Sequence, residues 1–97
     1  MSDSQTAWKI LWDHASKDSP PGSPFEIDEV TAAVAGATKV SEAEARRVVG
    51  SLLGELDRLP EGRRYFTREG EAVVPLPEFL KARTGTSDPL ELYPYEL

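Results

Sequence analysis

The chain has 97 residues, 17 acids against 11 lysines and arginines, a formal net charge of −6, one histidine and no cysteine. That is room for one small domain with a single core, too little for two, and it excludes disulfides, thiolate chemistry and cysteine-held zinc. No apolar run approaches the thickness of a bilayer, and the acidic opening MSDSQTAWKI lacks the basic start of a secretory signal, so the expected place is the cytoplasm, with no membrane partner.

TAWKILWDHASKD sets Trp8, Leu11, Trp12 and Ala15 at helical spacing, which predicts a first helix with an aromatic inner face. It ends before SPPGSP, whose prolines and glycine cannot continue a helix. PFEI is short and apolar at alternate positions, as in a brief strand. Asp28 then stands where it can cap a second helix over EVTAAVAG, with Gly36 marking its end and ATKV forming a turn.

Ser41 and Glu44 make the S-x-x-E pattern of a capping box at the head of a third helix. Ala45, Val48, Val49, Leu52, Leu53, Leu56 and Leu59 continue it as one apolar stripe, until Pro60 and Gly62 stop it. The period then changes to two: RRYFTRE and AVVPL read as strands joined through Gly70. Pro75 has no amide hydrogen, which predicts an edge position for the second of them. LPEFLKAR fits a last short helix holding Phe79 and Leu80 on the core. The division expected is a domain over residues 1–83, with its core about 7–80, and a tail over 84–97. That tail, with Leu90, Leu92, Tyr93, Tyr95 and Leu97 among acids, is expected to pack back near the first helix or to bind a partner.

The order of helix, short strand, helix, tight turn, helix and hairpin resembles the winged helix-turn-helix superfamily. The resemblance lies in IDEVTAAVAGATKVSEAEARRVVGSLLGEL and in RRYFTREGEAVVPL at the wing position, and covers roughly residues 7–80. It implies an α+β fold of three helices with a small antiparallel hairpin wing and a short C-terminal extension. It also implies a small regulator that binds double-stranded DNA with the third helix in the major groove and the wing on phosphates. A homodimer is expected with it, because two half-sites restore the affinity that one weak footprint in an acidic chain lacks.

The DNA-binding positions then expected are Ser41, Arg46, Arg47, Gly50, Arg63, Arg64 and Arg68. From Arg46 to Glu69 six arginines outnumber Glu55, Asp57, Glu61 and Glu69, while both ends of the chain are acidic. Arginine is the side chain suited to forked phosphate contacts. Base-edge contacts would come from Arg46 or Arg47, phosphate contacts from Arg63, Arg64 and Arg68. Two features pull the other way. Glu42 and Glu44 sit where phosphates would pass, and the overall balance is far from that of a domain that binds DNA unaided.

The alternative is an adaptor or assembly subunit that binds protein instead of DNA. Opposite the leucine stripe lies a smooth strip of Ala43, Arg47, Gly50, Ser51, Gly54 and Arg58, joined as partner-binding candidates by Tyr93 and Tyr95. Glycines inside a helix cost on the order of 1 kcal/mol each relative to alanine, so a close backbone approach is one reason to hold them. No enzyme, cofactor or metal site is expected. His14 has no nucleophile or ligand partner near it in sequence, and GELDRLPEG lacks the lysine and hydroxyl of a phosphate-binding loop. Trp8 and Trp12 are assigned to the core.

Overall fold

A computed structural model describes residues 2–17, 22–86 and 88–95 of the chain. Pro20, Pro21 and Leu97, all used in reading the sequence, lie outside them. The described residues form α1 (Asp3–Lys17), β1 (Phe25–Glu26), α2 (Ile27–Thr38), α3 (Glu42–Leu56), β2 (Phe66–Glu69), β3 (Ala72–Pro75) and α4 (Pro77–Ala82). Two 3-10 turns, Glu61–Arg63 and Pro89–Leu92, complete the order. The class is α+β: four helices and a three-stranded antiparallel sheet in the order β1-β3-β2.

The helical periods decide what is buried. Trp8, Leu11 and Ala15 from α1, Val30 and Val34 from α2, and Ala45, Val49 and Leu56 from α3 are all fully inaccessible. Val48, counted in the leucine stripe, is only half-buried. An aromatic cluster ties the helices to the sheet. Trp12 stacks edge-on against Phe79 at 4.8 Å, and Trp8 lies 5.7 Å from Phe66 in the same T-shaped manner. Such pairs add about 0.5–1.5 kcal/mol each beyond the area they bury.

Several boundaries depart from expectation. α2 runs two residues past Gly36 and stops at Lys39, which takes the left-handed conformation at φ 59°. Its start is one residue before Asp28, which sits inside the first turn rather than at the cap. Arg63 and Arg64 do not extend β2: Arg63 ends a 3-10 turn, Arg64 follows it, and the strand begins at Phe66. Leu80 is 41% exposed on α4, whereas Phe79 beside it is fully buried.

Pro75 is the clearest correction. β3 is the central strand, not an edge. It escapes the missing amide because β1 is two residues long and pairs only Phe25 with Val73 and Glu26 with Ala72. At Pro75 the strand faces β2 alone, through Phe66. The hairpin itself turns on Gly70, at φ 61°, and Glu71 between the paired Glu69 and Ala72.

The tail packs back on α1. The Trp8 indole Nε1 donates to the Pro89 carbonyl at 2.7 Å, and the Tyr93 hydroxyl donates to Ser4 Oγ at 2.8 Å. Tyr93 also sets its ring against Trp8 at 6.1 Å.

Candidate functional site

α3 is held by its inner stripe and presents the opposite face to solvent. Its start is fixed by Ser41, whose Oγ accepts the Glu44 amide at 3.1 Å. That is one half of the capping box. The Glu44 carboxylate turns outward and pairs with Arg47 at 2.7 Å. Beyond this pair, Ser51, Gly54 and Arg58 are exposed. A Cβ built on Gly54 would meet nothing within 4 Å, so the backbone there is open to an approaching surface.

The arginines expected to form one basic surface separate into three groups. Arg46 is ion-paired to Asp28 at the start of α2 and, at 3.5 Å, to Glu71 at the hairpin turn. The hydrogen bond and charge of Asp28, with Glu71 adding, hold its guanidinium above the ordinary arginine range. Arg68 shares Glu71 at 3.5 Å and donates its Nε to the Gly70 carbonyl at 2.8 Å. Asp28, Arg46, Glu71 and Arg68 thus form one nearly neutral cluster beside Gly50, where a Cβ would lie 3.9 Å from the Arg68 guanidinium.

Arg64 is spent on the fold: its Nε donates to the Leu59 carbonyl, in the turn that follows α3. Arg63 is half-buried in the 3-10 turn that precedes the hairpin. Of the seven residues expected to face DNA, only Arg47 carries a largely exposed guanidinium at the front of α3, with its side chain 76% accessible. Over residues 41–58 and the hairpin, with Asp28 included, four arginines stand against seven carboxylates.

The partner-binding positions are gathered more closely. Ala43, Arg47, Ser51, Gly54 and Arg58 occupy one exposed face of α3, with the half-buried Gly50 at its margin. Tyr93 borders the same region across a groove of about 380 Å³, which Arg47, Val48, Ser51 and Glu55 line from α3 and Ser4 lines from α1. Tyr95 is 61% exposed next to Tyr93, at 4.9 Å between ring centres. Glu55, Ser4 and Glu71 were not read as site residues from sequence, and Asp28 was read only as a helix cap. Asp28 and Glu71 meet Arg46 only through the fold, whereas Glu55 follows Arg47 by two helical turns and was open to reading.

His14 lies 3.0 Å from Glu29 and stacks near Phe25, at the rim of the core. Among the described residues there is no group of histidine and acid side chains placed to hold a metal, and no helix long and apolar enough to cross a membrane. Comparison with family models, curated proteins and solved structures gives no match for this chain.

Proposed function

We propose that this chain is a winged-helix protein-interaction domain, an adaptor or assembly subunit that docks another protein on the outward face of α3. The order of helices and strands supports the winged-helix part of this reading, as does the β1-β3-β2 sheet with a two-residue hairpin turn. The observation that carries the functional part is the state of the arginines. Arg46 and Arg68, which would have to meet bases and phosphates, are already neutralised by Asp28 and Glu71.

A duplex gains affinity mainly by releasing counterions to unpaired cations. Here the surface it would meet carries more carboxylates than arginines, so approach is repulsive. A protein surface asks for something else: an open backbone at Gly54, a small centre at Ser51, a groove lined in part by Val48, and charges of both signs. Those are present together on α3. The reading assigns the domain no catalytic role and places it in the cytoplasm.

DNA regulation is the second reading, favoured by one feature: Arg47 and Arg58 remain exposed on the helix that enters the major groove in DNA-binding winged helices. Two measurements separate the readings. Fluorescence anisotropy with a mixed-sequence duplex at low salt should show no binding, and binding that fades with added salt would restore the DNA reading. A photocrosslinker placed at Ser51 should give a discrete protein adduct in cells, while the same group at Ala33, exposed on α2, should give none. Equal labelling from both positions would remove the docking face.

A further inference from the structure

We propose that residues 88–95 form a detachable strap: a preformed turn that fills a peptide-binding site on α1 and comes off as a unit while the helices and sheet stay folded. The observation that carries it is a matched pair of anchors. Pro89 and Tyr93 lie four residues apart in the tail, and Ser4 and Trp8 lie four apart on α1. The Pro89 carbonyl accepts from the Trp8 indole at 2.7 Å, and the Tyr93 hydroxyl donates to Ser4 Oγ at 2.8 Å. The strap therefore runs antiparallel to α1 along one side of it, with its anchor points on the helix one turn apart, about 6 Å.

Where a segment's backbone hydrogen bonds go decides what opens with what. Among the described residues, the amides of the strap bond within it: Glu91 to the Asp88 carbonyl, Tyr93 to that of Leu90 and Tyr95 to that of Tyr93. Asp88 Oδ1 also accepts the Leu90 amide at 3.0 Å and caps the turn. The turn keeps its shape without α1, and no helix or strand gives up a backbone bond when it leaves. Its side chains are held as lightly. Leu90, Leu92 and Tyr93 are half-buried, and in the strap only Pro94 is buried. Thr84 and Gly85, in the connection from α4, are exposed and supply a hinge.

Detachment changes the α1 surface in a defined way. Trp8 is fully inaccessible with the strap in place, and Tyr93 sets its ring 6.1 Å from the indole. With the strap off, the indole N–H and that ring face reach solvent beside the Ser4 hydroxyl. A donor and a hydroxyl one helical turn apart on an apolar face are the complement of a proline carbonyl followed four residues later by a tyrosine. The chain's own tail is the ligand that supplies both. Tyr93 also leaves the wall of the groove of about 380 Å³ on α3, so the strap sets how far that groove extends along α1. The strap is independent of what docks on α3.

Hydrogen exchange followed by NMR on the full chain tests this, with the Trp8 indole N–H as reporter. That proton should be at least about tenfold less protected than the backbone amides of Leu11 and Trp12 on the same helix. Low urea should speed those amides steeply and the indole little, because detachment exposes far less surface than unfolding. Tyr93→Phe and Ser4→Ala should each lower indole protection about fivefold, the worth of one hydrogen bond, and the double variant should lower it no further than either alone. An indole that exchanges as slowly as the α1 amides, with the same urea response, would show that strap and core open together and would overturn the proposal. Fast exchange of the Tyr93 amide beside a slow indole would do the same, as would single variants that leave the indole unchanged.

Discussion

Replacing Trp8 with phenylalanine separates the two things this side chain does. Its indole is completely inaccessible and touches Trp12, Tyr65, Phe66 and Tyr93, while its Nε1 holds the Pro89 carbonyl at 2.7 Å. Phenylalanine keeps an aromatic ring but loses the donor, at about 1 kcal/mol for the hydrogen bond. It also removes roughly three buried ring atoms, worth about 2 kcal/mol of transfer energy before any relaxation of the cavity. A loss of about 3 kcal/mol is large for a domain of this size, whose stability falls at about 5–15 kcal/mol. At about 4–8 °C per kcal/mol, Tm should drop by roughly 12–24 °C in differential scanning calorimetry. Amide exchange should also quicken over residues 88–95 before the rest of the chain opens, since the tail loses its tether. A Tm drop under about 4 °C with unchanged protection of the tail would refute the assignment of Trp8 as both core residue and anchor.

Ser41→Ala should cost about 1 kcal/mol, read as a Tm lower by roughly 4–8 °C, because the Glu44 amide loses its acceptor at the head of α3. Gly36→Ala should stabilise the chain by about 1 kcal/mol, since this helix position is exposed and a Cβ there meets nothing within 4 Å; an unchanged or lower Tm would mean that α2 is not regular there. Gly54→Leu should leave Tm unreduced, since a side chain there meets nothing of its own chain within 4 Å, yet weaken docking by covering the open backbone; an unchanged adduct from the crosslinker at Ser51 would count against that face. Arg46→Ala should change Tm little, as expected of an exposed pair. Its pH dependence has a definite sign. A guanidinium raised above its ordinary value adds its share at every pH below that value and loses it only above the folded one. The difference between wild type and Arg46→Ala attributable to this shift should therefore stay flat from about pH 7 to about pH 10 in thermal melts.

What was legible in the sequence was local. The S-x-x-E start of α3, the tryptophans at helical spacing and the turn at Gly70 each act within a few residues, and each is found where it was read. What was not legible depends on distant partners. β1 is two residues long and exists because Phe25 meets Val73 on a strand far along the chain. That same brevity makes Pro75 acceptable in a central strand. Lys39 closes α2 in a conformation that a lysine does not announce. The state of the arginines was not legible for the same reason: the third helix and the wing are neighbours in the fold the sequence resembles, which puts their arginines near one another, but Asp28 and Glu71 take up Arg46 from two other elements. Leu59 takes up Arg64 through its carbonyl.

The central claim is that α3 meets protein, not DNA, through the face around Ser51. Amide chemical shifts followed by NMR while a mixed-sequence duplex is added at low salt test it most directly. The duplex should move none of the amides of residues 41–58 and of the hairpin. Shifts at residues 41–47 and the hairpin that fade as salt is added would contradict it.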